Sequence, residues 1–296
     1  MPASSRILKR RIRSIGNTRK ITRAMELVAA SKMRRTTQRT IASRAYSSGL
    51  KQTLHEILER VDPRTHPLLA GRRSSESALV IVSASDRGLC GGYNTRLLRT
   101  AAEFIRTRPE KNIRVITVGK RAEPAMRKEA REIFAALESV SNAPTYERVR
   151  PIGEIAFREF TEGRADRVFM VYTEFVSGLA QEPRVEQLLP FIPEERLAVM
   201  RRSDEEEPPS EPDVLFEPAA RDVLDSVLPR LLDSRVYQTL LESSSSEHAA
   251  RMVAMQNASQ NAGDILEDLV FTYNQNRQAT ITREMLEITA GKAAIE

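Results

Sequence analysis

Apolar residues near the start of the chain recur at helical spacing: Leu8, Ile12 and Ile15, then Ile21, Met25 and Val28, and later Leu50, Leu54, Ile57, Leu58 and Val61. Steps of three and four place such residues on one stripe of an α-helix. Pro is absent from Pro2 to Pro63, and only Gly16 and Gly49 intervene as breakers. The pattern therefore predicts one helix over residues 1–61, ending before Asp62-Pro63, because proline disfavours a helical residue before it. At 1.5 Å per residue this helix is about 85 Å long, too long to fold back into a small globule.

From Ser77 the pattern changes to short apolar runs. ALVIVS (78–83), IRVITV (113–118) and RVFMVYTEFV (167–176) read as buried strands, and RVEQLL (184–189) as a fourth. Helical stretches lie between them, up to about Thr107, near 120–131 and at 151–162. Strands alternating with helices predict an α/β unit with a largely parallel sheet. Helical periodicity returns near Glu217 and runs to about Ala290, interrupted only by Pro229 and Gly263. Three-four steps from Met252 pass through Met255, Ser259, Ala262, Leu266, Leu269, Tyr273, Asn276, Thr280 and Arg283. The first seven positions are apolar or aromatic except Ser259, which supports a coiled-coil seam. Beyond Asn276 the seam turns polar, while Ile281, Met285 and Ile288 fall on another face and point to a second partner. The expected organisation is a shaft helix (1–61), an α/β insert (62–202), an acidic, Pro-rich linker (203–213, SDEEEPPSEPD) and a second shaft helix (214–296).

Composition agrees with extended helix. The chain has no Trp, only 12 Gly and 29% charged residues. Its one cysteine, Cys90, excludes an internal disulfide and suits a reducing compartment, and His55, His66 and His248 are too scattered for metal-ligand spacing. No stretch approaches the roughly 20 apolar residues of a membrane span. The N-terminus lacks the apolar core of a secretory signal; its helical pattern starts at once, which reads as a mature, uncleaved start.

Charge changes the picture more. The net charge of +6 divides into +12 over residues 1–44, where Glu26 is the sole acid, and −6 over the remainder. Such an arm needs an anionic partner: nucleic acid, lipid headgroups or an acidic protein surface. No aromatic precedes Tyr46, so a basic coiled-coil nucleic-acid binder would have no stacking platform.

Other candidates are weaker. Gly88, Gly91 and Gly92 follow a strand, as phosphate-binding glycines do, but neither GxGxxG nor a Walker A pattern is present, so a tight strand-to-helix turn is favoured. Cys90 lies in that turn without a histidine nearby in sequence, and reads as a small buried residue. Ser243–Ser246 marks a weak point in the long helix, where small side chains allow close packing or bending. No catalytic residue, cofactor or metal site is expected.

Three blocks carry a resemblance. Residues 12–33 (IRSIGNTRKITRAMELVAASKM) closely resemble the N-terminal signature of the gamma subunits of F-type ATP synthases. Residues 250–256 (ARMVAMQ) with 273–284 (YNQNRQATITRE) resemble the C-terminal one, and the turn at 85–94 (SDRGLCGGYN) is similar to the family's. The resemblance implies an antiparallel, left-handed coiled coil of the terminal helices above a Rossmann-like α/β foot. It further implies a non-catalytic central-stalk rotor that passes torque between a membrane proton-driven ring and the catalytic beta subunits. The implied partners are the alpha and beta ring subunits, the epsilon subunit and the membrane c-ring, with no nucleic acid. The implied location is peripheral, on the cytoplasmic face of a bacterial plasma membrane. Carried over by position, the shaft contacts and coupling residues fall on Arg23, Met25, Lys32, Arg251, Gln278, Thr282 and Glu284. The regulatory cysteine pair of plant-type members is absent, and the acidic linker matches no signature of the family.

Overall fold

The computed structural model describes residues 3–58, 66–71, 76–129, 132–191 and 220–293. The expected domain boundaries at 61, 202 and 213, and the whole acidic linker, lie outside these residues. The chain divides into two units: residues 1–30 with 251–296, and residues 31–250. Two long helices, α1 (Ala3–Leu58) and α6 (Ala220–Ala293), contribute to both. The unit of residues 31–250 also holds α2 (Pro67–Ala70), β1 (Ser77–Ser83), α3 (Tyr93–Thr107), β2 (Asn112–Val118), α4 (Ala122–Glu129), β3 (Glu132–Leu137), α5 (Tyr146–Thr161), β4 (Arg167–Phe175) and β5 (Gln181–Leu189).

The sheet order is β3-β2-β1-β4-β5. The first four strands in that order pair in parallel, and β5 closes the β4 edge antiparallel. Both faces of β1 are covered, which is why ALVIVS reads as an unbroken apolar run rather than an alternating one. Leu79 and Ile81 enter a core formed with α5, α2, the last turns of α1 and the first turns of α6, through residues such as Ile152, Leu69, Leu54 and Leu228. Ala78, Val80 and Val82 point to the opposite face, against Leu97 and Ala101 of α3 and Met126 of α4.

The structure corrects the sequence reading in three places here. Strand β3 was not expected: Glu132-Ile-Phe-Ala-Ala-Leu137 is rich in residues that favour helix, and pairing with β2 overrides that preference. Strand β5 starts at Gln181 rather than Arg184 and tolerates Pro183 because it is an edge strand. Helix α5 begins at Tyr146 and carries Pro151 inside it, since Val149, 1% exposed, is buried in the core and holds the first turn.

Within residues 31–250, α1 and α6 run antiparallel. Thr40 Oγ1 lies 3.3 Å from Ser245 Oγ, Arg44 Nη2 donates to Glu242 Oε1 at 3.1 Å, and Ser47 Oγ lies 2.7 Å from Ser234 Oγ, so one number falls as the other rises. The hydroxyls of Thr18, Thr22, Thr36 and Thr40 in α1 are satisfied locally, each bonding back to a carbonyl one turn earlier.

In the unit of residues 1–30 with 251–296, the covered face of α6 is the one counted from the sequence. Met255, Ser259 and Ala262 are buried, and Met252, Leu266, Leu269, Tyr273, Asn276 and Thr280 are half-buried. The seam thus extends one step past Asn276, and every residue from Ile281 to Ala290 is exposed. On α1 the covered positions include Leu8, Ile12, Ile15, Thr22, Met25 and Ala29, with Gly16, Glu26 and Ala30 half-buried beside them. Ile21 and Val28, expected on this stripe, are 60% and 57% exposed. Continuing the three-four repeat from Ile15 selects Thr22 and Ala29, whose small side chains admit a close neighbour, and turns the larger Ile21 and Val28 outward.

Candidate coupling surface

The outward side chains of α1 are mostly cationic or apolar. Arg19, Lys20, Arg23, Ile21, Leu27 and Val28 are all exposed within three helical turns. Arg23 meets the one acid of the region, its Nη1 lying 2.8 Å from both carboxylate oxygens of Glu26. That pair spans one helical turn and is solvent-exposed on the Arg23 side, so it contributes only about 0.3–0.5 kcal/mol. The basic excess of the arm survives it.

A groove of about 850 Å³ lies between the two helices of this unit. Arg19, Lys20 and Arg23 line one side together with Leu27, and Gln256, Ser259 and Gln260 line the other. The Arg19 guanidinium lies over Gly263, 3.4 Å from where a Cβ would sit, so the missing side chain makes room for it. Chemically the groove offers three long cations, amide donors and acceptors, and an apolar floor. That combination suits a carboxylate-bearing segment and performs no bond-making chemistry.

Met25 is half-buried on the seam. Arg251 is buried, 9% exposed. Gln278, Thr282 and Glu284 are exposed on α6, and the Thr282 hydroxyl donates to the Gln278 carbonyl at 3.0 Å. Lys32 belongs to the other unit, where its Nζ donates to Asn142 Oδ1 at 3.1 Å. Sequence reasoning passed over the groove itself, because Gln256 and Gln260 carry no hydrophobic signal. It also passed over Leu286, 64% exposed beside Met285 at 65% and Ile288 at 73%.

The glycine turn is occupied by its own side chains. Asn94 Oδ1 accepts from the Ser85 amide at 3.1 Å, and Asp86 accepts from the Lys120 and Ser139 amides and from the Ser141 hydroxyl. Leu89 and Gly91 take φ values of 63° and 56°, a left-handed pair that tightens the turn, and Cys90 is buried. These contacts make it a strand-to-helix turn rather than an open phosphate cradle. Among the described residues no cluster of potential metal ligands occurs, and no helix is long and apolar enough to cross a membrane.

Electrostatics inside the foot are structural. Glu159, 1% exposed, receives Arg114 at 2.7 Å and Arg164 at 2.8 Å. Burial alone would raise its pKa, but the hydrogen bonds from Arg164 and Arg114 hold it below the usual carboxylate range. Burial, reinforced by the Glu247 charge, pushes the Tyr93 hydroxyl far up, so it stays protonated.

Long helices around an inserted five-stranded sheet are also what the comparisons match. A family model described as ATP synthase matches residues 4–295. The ATP synthase gamma chain of Nitrosococcus oceani is 40% identical over 295 residues, covering 99% of this chain and all of the relative. The chain belongs to the ATP synthase gamma-chain family. It is therefore a central-stalk rotor subunit and not itself catalytic. The gamma chain of Stenotrophomonas maltophilia is 37% identical over 295 residues, covering 99% of this chain and all of that relative. The fold agrees with a chain of the Euglena gracilis mitochondrial ATP synthase in its OSCP/F1/c-ring assembly, with TM-score 0.70 and 23% identity over 100% of this chain and 95% of that one. It also agrees with a chain of the Tetrahymena thermophila central stalk and c-ring, with TM-score 0.62 and 24% identity over 81% of this chain and 99% of that one. Family membership lends nothing to the nucleic-acid reading.

Proposed function

We propose that this chain turns inside a ring of alpha and beta subunits and passes torque between that ring and a proton-driven c-ring, with the epsilon subunit bound to its foot. The observation that carries this reading is the paired helices of residues 3–30 and 251–293: a seam of mainly small and apolar side chains inside, with cations and apolar residues outside. Arg19, Lys20 and Arg23 on the groove suit an acidic loop of the beta subunits. Arg23, Met25, Lys32, Arg251, Gln278, Thr282 and Glu284 are the proposed contact and coupling residues. Arg23, Gln278, Thr282 and Glu284 are exposed, and exposed polar contacts are worth about 0 to 1 kcal/mol each, shallow enough to exchange as the shaft turns. Each shaft angle then favours one conformation of each catalytic subunit, which is a population shift imposed by rotation. The complex sits peripherally on the cytoplasmic face of a bacterial plasma membrane.

The test is reconstitution with alpha and beta subunits and a bead fixed to the foot. Hydrolysis accompanied by stepwise rotation is expected. Assembly and hydrolysis with a stationary bead would exclude the rotor mechanism.

A further inference from the structure

In an open parallel sheet, ligands ordinarily bind outside the carboxyl ends of the strands, where the strand order reverses. In this sheet the reversal lies between β1 and β4. That place is filled by the chain itself. Ser243, Ser244, Ser245 and Ser246 of α6 are 2%, 1%, 0% and 0% exposed, and Tyr93, at the start of α3, is 2% exposed.

Ser243, Ser245 and Ser246 are bonded to the elements around them, while the buried Ser244 hydroxyl makes no hydrogen bond among the described residues. The Tyr93 hydroxyl lies 2.8 Å from Ser243 Oγ and donates to the Ser243 carbonyl at 3.2 Å. The hydroxyl of Ser83, the last residue of β1, donates to Ser243 Oγ at 3.3 Å. Ser246 Oγ donates to the Thr173 carbonyl of β4 at 3.2 Å, and Ser245 Oγ meets Thr40 Oγ1 of α1 at 3.3 Å. One residue past the adjoining Glu247, the His248 ring bonds to the Asn142 carbonyl at 3.1 Å, and Asn142 in turn accepts from Lys32.

Earlier in α6 the buried contacts to the foot are apolar, through Leu224, Leu228, Leu231, Leu232, Val236 and Leu240, and the polar ones, His66 with Asp225, Tyr146 with Asp233 and Arg235 with Glu186, are partly exposed. Apolar packing is non-directional and resists sliding or twisting only through shape. Buried hydrogen bonds are directional, and in a low-dielectric interior each carries a penalty if it is broken without a replacement. We infer that Tyr93, Ser243, Ser245 and Ser246 form a polar lock that fixes the rotational register of α6 on the sheet and carries torque from the foot into the helix. These are positioning residues, and the inference rests on the rotor reading above.

The test uses the complete complex with Ser83→Cys/Ser243→Cys, whose native hydroxyls lie 3.3 Å apart, combined with Tyr93→Phe, Ser246→Ala and Cys90→Ser. The side-chain bonds of the lock to the sheet and α3 are then reduced to one that can be opened and closed, with the Ser245–Thr40 contact to α1 left in place. Protons pumped per ATP should fall roughly twofold in the reduced state, with hydrolysis retained, and recover on oxidation. A role confined to stability would change hydrolysis and pumping in proportion. Equal pumping per ATP in both redox states overturns the lock, as does failure of the two thiols to cross-link. Should this variant not assemble, Tyr93→Phe alone is measured by stall torque and by hydrogen exchange of residues 243–248. Lower torque with faster exchange supports the lock, and unchanged torque overturns it. A wild-type complex that hydrolyses ATP without rotating would instead remove the rotor reading itself.

Discussion

Glu159 shows how a buried charge is tolerated in the foot. Arg114 and Arg164 approach it from two directions, and Arg114 also stacks over the Phe134 ring at 5.0 Å. Replacing Glu159 by Gln leaves two guanidinium groups without their carboxylate, and is expected to cost about 3 kcal/mol of stability at pH 7, measured by urea unfolding. Because its folded pKa is depressed, the stability it supplies is present above the ordinary carboxylate value of 4.5 and is lost as pH falls through the folded value. The wild type should therefore lose stability below that pH more steeply than the variant; parallel acid curves would show that the network contributes nothing. Backbone geometry sets a second constraint at Gly119, whose φ is +87° and whose Cβ would lie 2.2 Å from the Ala84 carbonyl oxygen. Gly119→Ala should cost about 2–4 kcal/mol by the same measurement, since neither strain nor clash can be relieved by a side-chain rotation.

The elements divide into those that announce themselves and those that neighbours decide. Helices α1 and α6 were legible because a long run with period 3.6 and few breakers has few alternatives, and β1, β2 and β4 because both faces of each are covered. Strand β3 was not legible, since its residues favour helix in isolation and only the β2 edge makes them a strand. The stripe of α1 was half legible. Choosing the largest apolar residues gave Ile21 and Val28, whereas close helix pairing selects Thr22 and Ala29. Two comparisons follow from this. Ala262→Leu, on the buried seam, should destabilise by about 1–3 kcal/mol through overpacking. Ile21→Ser and Val28→Ser should change the isolated chain by less than about 0.5 kcal/mol; larger losses in thermal unfolding would place these residues back on the seam. Gly16, with open space where a Cβ would sit, should gain about 0.5–1 kcal/mol on substitution by Ala.

For the molecule as a working part, the contact residues remain those to be challenged in the assembled enzyme. Gln278→Ala with Glu284→Ala, both exposed, should weaken association with the catalytic ring roughly tenfold, the size expected of two modest polar contacts. Titration of labelled chain into the ring measures this, and wild-type affinity together with wild-type coupling would remove both residues from the surface. The sequence by itself determined the long-helix, inserted-sheet, long-helix order and the basic arm, because periodicity, proline placement and charge are local properties. The terminal blocks identified the family for the same reason. Tertiary structure alone decided which small and polar residues are interior. Ser243–Ser246 read as a weak point in a helix, yet they are among the most buried residues of the chain. Tyr93, which holds them, stands 150 positions away. A hydroxyl carries no hydrophobic signal along the chain, and whether it is buried and bonded depends on partners that only the fold brings to it.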